Sequence, residues 1–217
     1  MMEKNNIDFE NIISKAYETL IIQDNLLFPL DVFNIKLNLN MKIISFDELA
    51  QISSTSYEQI KELSQNADAF KYEQNGILLI VYDNKIQSLG RKRWSIAHEY
   101  GHVVLNHRCQ SDQNEIEANF FAANLLLPQC ILKELLIKRG DITKDYLKGK
   151  FGISEEAATK YLARINGRGF DYFKNEYDDI ILGKSKKFLD NEIRNSRLFQ
   201  IQLEDEMQEK RSNWMYE

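Results

Sequence analysis

His98-Glu99-Tyr100-Gly101-His102 spells HExxH. On a helix, residues four apart lie nearly above one another, so the two imidazoles can aim at one tetrahedral metal while Glu99 projects beside them. A zinc ion held this way lowers the pKa of a bound water to about 7, and an adjacent carboxylate can take the proton during attack on a polarised carbonyl. The residue types suit this chemistry, with neutral nitrogen ligands for Zn2+ at His98 and His102 and a proton acceptor at Glu99. Catalytic zinc takes three protein ligands, so a third is needed. Glu115 and Glu117 open the next helical stretch. Glu115 shares a face with Ala118, Asn119, Ala122 and Leu126, where the two alanines allow close approach of the two helices, and spacing favours it. Glu117 stays open as the alternative ligand, and Asp112 with Glu115 also fits a capping box. Asn119, one turn beyond Glu115, could hold the outer nitrogen of a ligating histidine. His107 lies about 140° around a regular helix from His102, which makes it a surface or second-layer residue unless the helix has already ended. Cys109 reads as a free loop thiol. Gly101 costs about 1 kcal/mol against alanine inside a helix, which implies another element packed close against it.

The elements that must position these groups read as an α+β arrangement: a helix over 7–22, a small sheet, then mostly helices. Met41–Phe46 and the unbroken apolar run Ile77–Tyr82 read as strands. Ala69–Tyr72 reads as a hairpin arm entering an Asn75-Gly76 turn. The expected fold is a zincin-like core over 1–128 with a small β-sheet and the HExxH helix, with Trp94, Ala97, Gly101, Val104 and Leu105 as its apolar stripe. A helical region over 129–217 follows, with a helix-turn-helix-like segment at about 142–166. The order of strand then metal helix predicts that the edge of Ile77–Tyr82 holds an extended substrate. For an oxyanion donor the candidates are Tyr146, Tyr161, Tyr172, Arg164 and His107.

Composition bounds the setting. The chain has 217 residues, net charge -5, 43% hydrophobic residues, 2 cysteines and 3 histidines. That excludes collagen-like, disulfide-stapled and wholly disordered classes. The cysteine usage and the absence of a signal-peptide pattern in MMEKNNIDFE predict a cytoplasmic protein, and no apolar run approaches the roughly 18 residues of a membrane span. Residues 133–168 hold nine basic against five acidic residues, a modest excess that fits a packed or partner-facing helix pair better than DNA contact. The mixed charges of 185–211 suit a docking helix rather than a membrane-surface one.

Two blocks, Arg93-Trp94-Ser95-Ile96-Ala97-His98-Glu99-Tyr100-Gly101-His102 with trailing His107, and Glu115-Ile116-Glu117-Ala118-Asn119-Phe120-Phe121-Ala122-Ala123-Asn124-Leu125-Leu126-Leu127-Pro128, resemble the ImmA/IrrE family of metallopeptidases. Phe28-Pro29-Leu30-Asp31 and Phe151-Gly152-Ile153-Ser154 are weaker echoes; the family's frequent Arg-Leu pair stands here as Tyr161-Leu162. The resemblance implies a gluzincin-like zinc site with His98, His102 and Glu115 as ligands, Glu99 as catalytic base and Asn119 in the outer layer. It also implies a cytoplasmic anti-repressor whose protein substrate is a helix-turn-helix repressor of a mobile element or stress regulon. The rival expectation is a non-catalytic, metal-holding module that sequesters a repressor or binds DNA through 133–168.

Overall fold

The computed structural model describes residues 7–36, 40–74, 76–140, 142–168 and 172–214, without the side chains at 74, 164, 166–168 and 209–214. Asn75 of the expected turn, the first six residues, and the side chains of Arg164 and Trp214 therefore lie outside the described residues. The elements run α1 (Phe9–Ile21), β1 (Met41–Ser45), α2 (Phe46–Ser53), α3 (Tyr57–Leu63), β2 (Ala69–Gln74), β3 (Ile77–Tyr82) and α4 (Leu89–Val104). Six helices follow: α5 (Asp112–Leu126), α6 (Gln129–Lys138), α7 (Lys144–Phe151), α8 (Glu155–Arg168), α9 (Asp178–Lys184) and α10 (Lys186–Trp214). The fold is α+β, with a small mixed sheet and a mostly helical C-terminal part.

The sheet order is β1-β3-β2, with β1 parallel and β2 antiparallel to β3. β3 is an unbroken apolar run because both its faces are covered. Ile80 enters the main core with Ile96, Tyr100 and Phe121, while Leu79 and Val81 enter a smaller cluster under α2 and α3 with Phe46, Leu49 and Ile60. The expectation of a substrate edge on Ile77–Tyr82 is corrected here: β3 is the central strand, paired on both sides, and the unpaired edge beside α4 belongs to β2. The strongest apolar run marks the most buried strand, and a buried strand has no edge to offer.

The main core reaches from Ile12 to Leu189 and so takes residues from both 1–128 and 129–217. The two weaker echoes meet in it, with the Phe28 and Phe151 rings 5.2 Å apart. Between them Gly152 caps α7 at φ 61, where a Cβ would stand 2.9 Å from Arg93 Nε and 3.0 Å from Pro29 Cβ. That left-handed, crowded position suits glycine alone. α7 and α8 are joined by the three-residue turn 152–154, with Ser154 Oγ accepting the Ala157 N–H at 3.1 Å to cap α8. Among the described residues, no single helix is long and apolar enough to cross a membrane.

Candidate metal centre

α4 starts where Ser88 Oγ accepts the Arg91 N–H. Its buried face is Arg93, Ile96, Ala97, Tyr100 and Gly101, spaced three and four apart. The expected stripe is only partly the buried one: Trp94, Val104 and Leu105 are half-buried, whereas Arg93 and Tyr100 are buried. Neither an arginine nor a tyrosine reads as a core residue, so the pattern of apolar letters sat slightly off the true face. His98, Glu99 and His102 fall beside it, along a cleft of about 660 Å³ between α4, the outer edge of β2 and the start of α5. Phe70, Lys71, Ser95 and Arg108 also line this cleft.

α5 crosses α4 at Gly101, where a Cβ would stand 3.0 Å from both Cα and the carbonyl oxygen of Ala118. The close packing expected from this glycine is therefore present, and the alanine opposite it is buried. Gly101→Ala would gain about 1 kcal/mol of helix propensity and lose roughly 1–3 kcal/mol to overpacking. Stability is thus expected to fall by up to about 2 kcal/mol while α5, which carries Glu115, is pushed outward. Thermal unfolding alongside chelator competition for zinc checks this; unchanged zinc affinity would refute it.

The crossing sets the site's geometry. His98 Nε2 and His102 Nε2 are 3.0 Å apart. Glu115 Oε2 lies 3.2 Å from the first nitrogen and Oε1 lies 3.3 Å from the second. Ligand atoms of His98, Glu99 and His102 all fall within 4.8 Å of one another. His98 Nδ1 meets Asn119 Oδ1 at 3.1 Å; that oxygen only accepts, so the contact is a hydrogen bond with the hydrogen on His98 Nδ1, and the ring's Nε2 turns inward. The expected capping role for Glu115 is taken by Ser111, whose side chain accepts the Asn114 N–H at 3.1 Å, leaving the Glu115 carboxylate directed at the imidazoles.

Glu117 turns elsewhere. Its Oε2 lies 3.0 Å from His107 Nε2, and its Oε1 accepts from Gln113 Nε2 at 2.8 Å. His107 itself is buried and its Nδ1 is 3.0 Å from His102 Nδ1. The 140° separation does not apply because α4 has ended: Asn106 is left-handed at φ 56, its N–H donates to Val103 O at 3.1 Å, and the His107 N–H donates to His102 O at 2.9 Å. This is a Schellman turn, which folds His107 back beneath His102. Asparagine at position 106 was the available signal, since it tolerates that backbone region.

Electrostatically the site favours neutral imidazoles. Burial pushes the His98 pKa down, against the opposing pull of Glu115 and Asn119. Burial, then the neighbouring His98, His107 and Lys71, bring His102 down to about 4. Burial raises Glu99 to about 7, with Glu115 adding to the rise and the Lys71 charge and backbone N–H opposing it. Lys71 also donates from Nζ to the His107 carbonyl. Its part in the site had no signature in the sequence, because a lysine on a short strand looks like a solvated one.

None of the described oxyanion candidates lines the cleft. Tyr161 donates to Ala123 O at 2.7 Å, Tyr172 pairs with Asp178, and Tyr146 lies under Arg139, whose guanidinium carbon is 4.0 Å from the ring centre. Cys109 is exposed and unbridged.

The donor set fits zinc on its chemistry and spacing. Donor atoms about 2.0–2.1 Å from a tetrahedral ion stand roughly 3.3–3.4 Å from one another. The two imidazole nitrogens are 3.0 Å apart, and Glu115 meets each through a different oxygen, Oε2 at 3.2 Å from His98 and Oε1 at 3.3 Å from His102, so its carboxylate spans the pair.

A family model described as an IrrE N-terminal-like domain, Peptidase_M78, matches residues 57–162, from α3 into α8. That span contains the HExxH helix, β2 and all of α5. No curated protein matches the chain significantly.

Proposed function

We propose, from the match of residues 57–162 to the IrrE N-terminal-like peptidase domain, that this protein is a zinc-dependent endopeptidase acting on a helix-turn-helix repressor. In this reading His98, His102 and Glu115 hold the metal, Glu99 is the catalytic base, and Asn119 fixes the His98 ring. The observation that carries it is the convergence of two imidazole nitrogens and a carboxylate at 3.0–3.3 Å beside a second, partly buried carboxylate. A zinc ion bound there would polarise the scissile carbonyl and acidify water. Glu99, raised to about 7 by burial, is suited to take up a proton near neutral pH and pass it to the leaving amine. The open edge of β2 would hold an extended peptide by backbone hydrogen bonds across the cleft, and α4 and α5 on the other side keep the two imidazoles largely out of bulk water.

A repressor as substrate rests on the ImmA/IrrE resemblance, as does a cytoplasmic setting. The basic excess of 133–168, nine basic against five acidic residues, is modest for DNA contact and suits a protein partner better. Lys144 and Lys148 both pair with Glu155, at 2.6 and 3.1 Å, Lys160 pairs with Glu156 at 2.6 Å, and Lys150 pairs with Glu192 at 2.8 Å. Arg139 also reaches Glu192, at 3.4 Å; Glu192 is the one of these partners from outside 133–168, so it offsets one charge of the segment's excess of four.

The test is to incubate the zinc-loaded protein with a helix-turn-helix repressor from the adjoining reading frame and read the products by mass spectrometry. Cleavage at one or a few bonds is expected, lost after dialysis against a chelator and restored by zinc. Cleavage that survives metal removal would overturn the metal-dependent reading. An intact repressor under loaded conditions would overturn the substrate.

A further inference from the structure

We propose that His107 and Glu117 are positioning residues for His102, holding its hydrogen on Nδ1 so that its bare Nε2 faces the metal site. The inference rests on the zinc reading above. It goes beyond that reading by giving His107 a role and by taking Glu117 out of the ligand set.

The hydrogens can be placed one by one, from the outside inward. A carboxylate only accepts, so His107 Nε2, 3.0 Å from Glu117 Oε2, must carry a hydrogen. A neutral imidazole then has a single lone pair left, at Nδ1, and this nitrogen lies 3.0 Å from His102 Nδ1. The contact is a hydrogen bond when His102 Nδ1 donates. That leaves His102 Nε2 without a hydrogen, directed at His98 Nε2 and Glu115 Oε1. Nitrogen ligation needs this tautomer, and a second partner on the outer nitrogen is how proteins enforce it.

The surroundings hold the pair rigidly. The His107 and Glu117 side chains are 5% and 17% exposed, so the bond between them is little weakened by water. Gln113 holds the other oxygen of Glu117, Lys71 anchors the His107 carbonyl, and the Schellman turn ties His107 to the backbone of His102. Both oxygens of Glu117 are thus engaged away from the metal. The two ligating rings are oriented by different devices: Asn119 acts on His98 in one step, and His107 backed by Glu117 acts on His102 in two.

The experiment combines ¹⁵N imidazole spectra of the full-length protein, with and without zinc, with zinc affinities from chelator competition. His107 is expected to carry its hydrogen on Nε2, with Nδ1 accepting from His102, in both forms. Glu117→Ala is expected to weaken zinc roughly 10- to 100-fold, the usual effect of removing an outer-shell partner. Glu117→Gln, whose amide oxygen can still accept from His107, should restore most of that loss. A hydrogen on His107 Nδ1, or a Glu117→Ala affinity within about twofold of wild type, would overturn the proposal. So would a loss as deep as that of Glu115→Ala, which would make Glu117 a ligand. Should Glu117→Ala fail to fold, the wild-type spectra and Glu117→Gln still decide. Wild-type protein that binds no zinc would refute the metal reading itself, whereas the His107 tautomer is read in the metal-free protein and stands or falls separately.

Discussion

Glu115→Ala is expected to lower zinc affinity by roughly 100- to 1000-fold while leaving the fold in place. If about 10–16 kcal/mol of apparent binding energy is shared over four ligands, one ligand contributes about 2.5–4 kcal/mol, which is that factor. The fold should persist because Glu115 is 46% exposed at its side chain and caps nothing; Ser111 caps α5 and the buried face of that helix is Ala118, Phe121, Ala122 and Leu125. Removing the carboxylate also leaves two imidazoles facing each other at 3.0 Å with no third donor. Zinc content after gel filtration, together with competition against a chelator of known affinity, measures the loss. The ordering across variants is the sharper result: Glu115→Ala should be the deeper loss and Glu117→Ala the shallower. Equal retention of zinc in both would overturn the three-ligand assignment.

Glu99→Gln is expected to retain zinc and lose about 10²- to 10⁴-fold in turnover, the usual contribution of a positioned acid or base. The amide is nearly the same size and can still accept the Lys71 N–H, so the cleft keeps its shape while the group that accepts a proton is gone. Cleavage of the repressor, followed by product appearance over time, is the measurement in vitro. Induction of the repressor's regulon is the measurement in cells. A variant that induces as well as wild type would overturn the catalytic reading, and sequestration of the repressor would take its place. The His98 and His102 rings make a control: losing either should remove metal and turnover together, whereas Glu99→Gln should separate them.

The part of the site carried by α4 was legible because helical periodicity is local. His98, Glu99 and His102 lie on one side of one helix whatever packs around it, and the small residues Gly101 and Ala118 announced a close crossing that the structure contains. The strand character of Ile77–Tyr82, the helices α7 and α8, and the α+β order follow from equally local patterns of apolar residues and turn formers. Asn119 was readable too, one turn from Glu115 on the same face.

Tertiary structure decided which of two nearby glutamates faces the imidazoles, because that depends on the rotation of α5 about its axis where Ala118 meets Gly101. A rotation of about 200°, two residues' worth, separates Glu115 from Glu117, and no spacing within α5 reports how the helix sits against α4. It also decided the place of His107: a single left-handed residue at Asn106 ends α4 and reverses the chain, so the angle extrapolated along a continuing helix no longer holds. And it decided which strand borders the cleft. Hydrophobicity identifies the strand buried on both faces, while the edge that can meet a substrate belongs to its more polar neighbour β2, whose position depends on pairing between residues distant in the chain.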